Sequence, residues 1–126
     1  MELINVEGIQ VMVSGGILRE GLYTLIGPHA ELLLENIFVD FAFMGAYAIS
    51  EFGVTTTSPF QVPIKRKMIK AARQVILVAD HTKFGKRLFT RVCSLDEIDE
   101  IITDNKLDNQ YKEYLEKETG VKITIV

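Results

Sequence analysis

Residues 75–85 of the chain read Val-Ile-Leu-Val-Ala-Asp-His-Thr-Lys-Phe-Gly. Residues 75–79 are an uncharged apolar run of the length and composition typical of a buried parallel strand. The run ends at Asp80, and Lys83 follows three residues later. Ligands of open α/β sheets bind beyond the carboxyl ends of the strands. The stretch therefore predicts a strand that carries a carboxylate and an ammonium to the ligand edge of a sheet.

Strand and helix patterns alternate on both sides of this stretch. Short apolar runs predict strands at residues 9–13, 22–26, 38–46, 98–103 and 121–126. Apolar residues at helical spacing predict a helix opening at Gly27-Pro28, a second from Ile64 and a third that Gly120 stops. This alternation predicts an α/β domain with a largely parallel sheet and right-handed crossovers.

Two segments carry more specific expectations. Residues 38–46 are almost wholly apolar apart from Asp40, which is typical of a central strand covered on both faces. Residues 50–63 are rich in Thr, Ser, Pro and Gly, which favours a loop.

Composition limits the chain to one soluble domain. It has 126 residues, of which 48% are hydrophobic and 25% charged, and its formal net charge is −3. Its single cysteine, Cys93, excludes an internal disulfide and any metal site made of several cysteines. The first residues lack a signal-peptide pattern, and no apolar run is long enough to span a membrane. The expected location is the cytoplasm.

The charges are distributed unevenly along the chain. Nine of the 14 basic residues lie between Lys65 and Arg91, where Asp80 is the single acid, and the rest of the chain is strongly acidic. An anion is the natural partner of the middle of the chain, whereas nucleic-acid binding by the whole surface is disfavoured. Most of the bases around the helix at residues 64–75 are expected to be solvated, and Lys65 is the one nearest the preceding loop.

Asp80 and Lys83 have two interpretations. Lys83 can anchor a phosphate while Asp80 accepts from ligand hydroxyls or holds the lysine. The alternative is an Asp that caps the next turn beside a solvated Lys. Gly15 and Gly16 can offer backbone N–H groups to a phosphate or form a plain turn. Gly45, inside an apolar strand, indicates close approach by a ligand or by a neighbouring element.

Metal and nucleophilic chemistry find little support in the sequence. His29 and His81 are isolated, so neither a metal site nor a cofactor is expected, and Cys93 is interpreted as a small buried hydrophobe. The residues at 55–58 contain hydroxyls but no accompanying His and Asp for nucleophilic catalysis.

Taken in order, these motifs resemble the C-terminal sensor domain of DeoR-family transcriptional regulators. The similarity covers nearly the whole chain and includes Val11-x-Val13-x-Gly15-Gly16, Val39-Asp40-x-Ala42-Phe43-x-Gly45-Ala46, Lys65-Arg66-x-Met68, Asp80-x-Thr82-Lys83-Phe84-Gly85 and Ile101-Ile102-Thr103-Asp104. The resemblance implies a three-layer Rossmann-like fold similar to ribose-5-phosphate isomerase and glucosamine-6-phosphate deaminase. It also implies a phosphorylated sugar as effector and assembly into a homo-oligomer.

The chain also departs from the family pattern. Neither the N-terminal helix-turn-helix nor the first strand and phosphate loop of the sensor domain is found in residues 1–126, which are therefore expected to be a partial sensor domain. DNA binding would belong to the missing N-terminal domain. The acidic residue usual before the Lys-Arg helix is replaced, since Gln61-Val62-Pro63 stands there.

Comparison with the isomerases bears on catalysis. Their strand-end Asp-Gly-Ala-Asp and helical Glu correspond here to Met44-Gly45-Ala46-Tyr47 and Lys65-Arg66-Lys67-Met68, so the carboxylates needed for proton transfer are replaced. The anchoring residues are retained and the chemical ones are not, which favours a sensor without catalytic residues. The alternatives are a sugar-phosphate isomerase or deaminase, and a fragment that serves only in oligomerisation.

Overall fold

The computed structural model describes residues 2–19 and 24–126. In chain order the strands are β1 (Ile17–Arg19), β2 (Thr24–Ile26), β3 (Val39–Gly45), β4 (Ala48–Ser50), β5 (Gly53–Thr56), β6 (Ala72–Val78), β7 (Thr90–Cys93), β8 (Glu100–Thr103) and β9 (Lys122–Ile125). The helices are α1 (Pro28–Glu35), α2 (Val62–Ala71) and α3 (Asn109–Thr119). Short 3₁₀ turns lie at Glu2–Asn5, Pro59–Gln61, His81–Lys83 and Leu95–Glu97.

Four parallel strands form the main sheet, in the order β3-β6-β8-β9. Each step along the chain moves to the next strand in the same direction, so right-handed crossovers bring the connecting segments onto one face. Side chains on that face form the core; they include Met44, Val75, Leu77, Ile101 and Ile123. The predicted α/β class with a mostly parallel sheet is confirmed and is consistent with a Rossmann-like three-layer fold.

α1 begins and α3 ends at the residues that the sequence predicts. Pro28 is the first residue of α1 and follows Gly27, which has a positive φ of 97°. The Asp108 side chain accepts a hydrogen bond from the backbone N–H of Tyr111 at 3.1 Å and caps α3. Gly120 ends α3 in the left-handed conformation with φ 76°. No helix in the described part of the chain is long and apolar enough to cross a membrane.

The predicted loop at residues 50–63 is wrong in part. It contains β5 and a 3₁₀ turn, and β5 pairs antiparallel with both β4 and β7 in a second, three-stranded sheet. The basic segment after Asp80 likewise contains β7. Both strands are short, and β5 is all but fully buried, so contacts distant in the sequence stabilise them where local composition favours a loop.

Residues 9–13 do not form the predicted buried strand. They are exposed and have no regular secondary structure, because no strand among the described residues pairs with them. The other early prediction, a strand at residues 22–26, is confirmed for Thr24–Ile26, while residues 22 and 23 lie outside the described residues.

β3 is not the central, doubly covered strand that its composition suggests. It lies at one edge of the main sheet, and Phe41 and Phe43 are 54% and 62% exposed. Ala42 and Met44 alternate with them and are buried on the core face. The all-apolar pattern therefore describes a strand of which only one face is covered by the described residues.

Gly53 allows the second sheet to form. Its φ is +109°, and a Cβ there would lie 2.1 Å from the backbone oxygen of Cys93 on β7. No other residue type fits a backbone approach this close without movement of the strands.

We expect Gly53→Ala to lower the free energy of unfolding by about 3 kcal/mol or more, because left-handed strain adds to an overpacking cost. Gly120→Ala is the matched control: it has φ +76° but open space around the added Cβ, so about 1 kcal/mol is expected. Urea unfolding of the two variants measures both values. Equal losses would show that strain alone matters and that β5 and β7 can separate freely.

Candidate functional site

Four of the predicted site residues lie near the carboxyl edge of the main sheet: Gly45, Lys65, Asp80 and Lys83. β3 and β6 are parallel neighbours, and Gly45 at the end of β3 is paired in register with Val78 at the end of β6. The segments that follow each strand therefore emerge side by side. An isolated bridge between Ile49 and Phe84 ties the turn after β6 to β4.

The turn after β6 is built around the Asp80 carboxylate. Oδ1 accepts a hydrogen bond from the backbone N–H of Thr82 at 2.9 Å and another from the Thr82 hydroxyl. These bonds lower the pKa of Asp80 below its ordinary value. The Lys83 ammonium lies 3.9 Å from the other carboxylate oxygen, and both side chains remain partly exposed. Asp80 thus caps the turn and pairs with Lys83, so both sequence interpretations describe part of its geometry.

Asp104, at the end of β8, holds the same turn from the neighbouring strand. Its Oδ2 accepts from the backbone N–H of His81 at 2.7 Å, and its Oδ1 lies 2.9 Å from His81 Nδ1. Oδ1 also accepts from the backbone N–H of Lys106 at 3.0 Å. Chiefly because of the bond from the His81 backbone, the pKa of Asp104 falls from 3.8 to about 2. Sequence reasoning quoted Asp104 within a motif and assigned it no contact.

Asp80, His81 and Asp104 form a compact cluster that the sequence did not predict. Each offers one possible metal-ligand atom, and these atoms lie within 4.8 Å of one another. The carboxylate oxygens of the cluster already accept hydrogen bonds from the protein. Asp104 accepts from His81 and Lys106, and Asp80 accepts from Thr82. The geometry is that of a hydrogen-bonded turn.

A cavity of about 330 Å³ opens at the end of β3, the strand next to β6. Its walls come from residues 43–47, from Thr24 of β2, and from Gln61, Lys65 and Met68 around the start of α2. No acidic residue and no histidine is among the described residues that line it. The cavity therefore has a polar and cationic side at α2 and an apolar side at β3.

Lys65 and Gly45, predicted separately, meet in this cavity. The Lys65 ammonium donates a hydrogen bond to the Gly45 carbonyl oxygen at 2.5 Å and lies 5.9 Å from the centre of the Tyr47 ring. Burial lowers the pKa of Lys65 below its ordinary value. A Cβ at Gly45 would meet no atom within 4 Å, so no neighbouring element crowds it. Close approach by a ligand stays a prediction.

Gln61 is a cavity residue that sequence reasoning noted without giving it a role. It is 2% exposed, and its Oε1 is buried with no hydrogen-bond partner in the described chain. An unpaired buried acceptor costs about 1–3 kcal/mol. The available signal was that Gln61-Val62-Pro63 stands where the related family usually has an acidic residue.

Gly15 and Gly16 lie outside the cavity. A Cβ at Gly16 would lie 2.6 Å from the backbone oxygen of Ile26, so Gly16 permits close packing against β2. Gly15 has a positive φ of 74° and open space around it. This geometry fits the plain-turn interpretation.

Two other bases of the segment between Lys65 and Arg91, Arg66 and Lys67, do not line the cavity. Lys67 pairs with Glu31 and Glu35 of α1, and Arg66 donates from Nε to the backbone oxygen of Val92 at 2.8 Å.

Cys93 is 2% exposed, and burial raises its pKa to about 11, as expected for a small buried hydrophobe.

Comparison with known proteins supplies independent evidence. Residues 1–105 match the family model of the DeoR C-terminal sensor domain. The chain is 40% identical over 121 residues to the HTH-type transcriptional regulator GlpR of Haloferax volcanii, covering 95% of this chain and 47% of that protein. It is 36% identical to the HTH-type transcriptional repressor GlcR of Bacillus subtilis, covering 98% and 47%. It is also 26% identical to an L-fucose operon activator of Haemophilus influenzae, covering 91% and 47%. The chain spans about half the length of these relatives.

We expect Asp104→Asn to destabilise the fold at pH 6 and to lose this effect in acid. The pKa of Asp104 is lowered in the folded state, so its ionised form stabilises the fold above pH 3.8, and this stabilisation is lost as the pH falls toward about 2. The difference in urea midpoint between the wild type and Asp104→Asn should shrink over that range.

Asp96→Asn is the control, because no hydrogen bond or ion pair involves Asp96 in the described structure. Its urea midpoint should follow that of the wild type at every pH. A difference for Asp104→Asn that stays constant from pH 6 to pH 2 would contradict the assigned role of the carboxylate.

Proposed function

The chain belongs to the family of DeoR C-terminal sensor domains, and on that premise we propose that it binds a phosphorylated sugar as the effector of a transcriptional regulator. The name of one relative refers to an L-fucose operon. A sugar effector for this chain is carried over from such relatives and from the chemistry of the cavity.

The observation that carries the proposal is the pairing of the cavity with two lysines at one sheet edge. Lys65 lines the cavity from α2, and Lys83 follows β6, the strand next to β3. Lysine ammonium groups are point-charge anchors for phosphate, and the carboxyl edge is where open parallel sheets bind ligands. Lys83 would contact the phosphate or another polar group, and Asp80 would orient Lys83 or accept from a sugar hydroxyl.

Sensing requires that the effector distinguish two states of the regulator. The relatives include regulators described as HTH-type, and this chain matches about half of their length. We propose that DNA binding resides in a helix-turn-helix domain linked to this one, and that copies of the chain assemble into a homo-oligomer. Effector binding would then shift the arrangement of the linked DNA-binding domains by its differential affinity for the two states.

The cavity favours binding over catalysis. Isomerisation between adjacent carbons needs a base within hydrogen-bond reach of the substrate. The described lining contains no Asp, Glu or His, and its Met44 and Tyr47 stand where the isomerases have carboxylates. Arg66, at the position of the catalytic Glu, bonds to Val92 and does not line the cavity. A sensor role agrees with these replacements.

We expect a phosphorylated sugar to raise the Tm of the chain, measured by thermal shift against a panel of hexose, pentose and triose phosphates. A ligand at a hundredfold its Kd adds about 2.7 kcal/mol and a rise of roughly 5 °C or more. Lys83→Ala should reduce the rise, because it removes a cation at the ligand edge.

Lys86→Ala is the matched control, since Lys86 is an exposed lysine of the same loop with no ion pair in the described structure. It should leave the rise unchanged. The proposed function fails if no sugar phosphate on the panel stabilises the chain. The role of Lys83 fails if Lys83→Ala and Lys86→Ala respond alike.

A further inference from the structure

Gln61 and Lys65 line the same cavity four residues apart. Gln61 directly precedes α2, and Lys65 lies one helical turn further on. Side chains at this spacing face each other on one side of a helix. The side chain at residue 61 can therefore determine the charge that surrounds Lys65.

The Lys65 ammonium has no acidic partner among residues 2–19 and 24–126. None of the ion pairs in the described part of the chain includes it, whereas Lys67 pairs with Glu31 and Glu35, and Lys83 pairs with Asp80. Its hydrogen-bond partner is a neutral carbonyl, that of Gly45. A half-buried cation without a described counter-ion is unfavourable, and its partial burial lowers its pKa. An anionic group entering the cavity would supply the missing partner.

Gln61 leaves this charge available. A Glu at residue 61 would place a carboxylate one turn from the ammonium and could form an i, i+4 ion pair with it. The neutral amide does not compensate the lysine, and its own Oε1 is buried without a partner. Rotation about the last side-chain bond exchanges the amide oxygen and nitrogen, so Gln61 can also present an N–H donor to an anion.

We propose that the cavity binds the anionic oxygen group of the ligand, a phosphate monoester or a carboxylate, at Lys65, and that Gln61 determines this preference by leaving the lysine uncompensated. The inference rests on the proposed function and specifies which end of the effector enters the cavity. Lys83, already paired with Asp80, then meets the hydroxyl-bearing part of the ligand.

The first test uses the unmodified chain and inorganic phosphate as the probe. Lysines are acylated with a limiting amine reagent, and the extent at each lysine is read by mass spectrometry with and without phosphate. Phosphate should protect Lys65 more than Lys83. Glucuronate and glucose, run in parallel, separate a carboxylate from a neutral sugar. Protection by either anion supports the proposal, and equal protection by glucose overturns it.

The second test compares Gln61→Glu with Gln61→Met, which is uncharged and of similar size. Loss of a charge-assisted contact should weaken phosphate binding by about tenfold in Gln61→Glu, whereas Gln61→Met, which adds no charge and removes only the amide donor, should weaken it clearly less. Equal weakening in both variants would overturn the charge argument. If Gln61→Glu does not fold, Lys65→Gln replaces it and should also lose phosphate binding.

The outcomes separate this inference from the proposed function. A sugar phosphate that stabilises the chain while phosphate fails to protect Lys65 would refute the role of Gln61 and Lys65 and leave the sensor proposal intact. Phosphate protection of Lys65 without stabilisation by any sugar phosphate would refute the sensor proposal alone.

Discussion

The bond between the Asp104 carboxylate and the backbone N–H of His81 fixes the turn at the carboxyl edge of the main sheet. It joins the end of β8 to the turn that follows β6, and that turn carries both Asp80 and Lys83. The low pKa of Asp104 measures how strongly the folded state favours the ionised carboxylate. The bonds from Thr82 to Asp80 and the bridge between Ile49 and Phe84 also hold this turn.

The lysines that form one basic segment in the sequence differ in their ion-pair partners. Lys67 is paired with α1, and Lys83 is held by Asp80, so neither adds an uncompensated charge to the edge. Lys65 is bonded to the Gly45 carbonyl and has no ion pair with any acid in the part of the chain that the structure describes. Of the three lysines, Lys65 is therefore the one whose charge no acid among the described residues compensates.

The predictable parts of the fold are those that local chemistry determines. Pro28 begins α1, Gly120 ends α3, and the run at residues 75–79 overlaps β6, because caps, glycine conformations and buried apolar runs act over a few residues. The failures involve pairing. β5 and β7 depend on the close approach of Gly53 to Cys93, and residues 9–13 have strand composition without a partner among the described residues. Composition indicates a preference for extended backbone, but it does not identify the strand with which a segment pairs.

The charged residues of the candidate site could be predicted from the sequence, but their ion-pair partners could not. Asp80, Lys83, Gly45 and Lys65 were found from strand ends and residue type, and the structure brings them to one edge in two pairs. The role proposed for Gln61 depends on its lack of a negative charge. The sequence does not reveal this role, because only the structure places Gln61 and Lys65 in the same cavity. The described lining residues include no carboxylate, so they offer neither an ion-pair partner for Lys65 nor a base for proton transfer. The proposed affinity for an anion and the lack of a catalytic base among the described lining residues thus have one physical cause, which is why we propose a binding role and not a catalytic one.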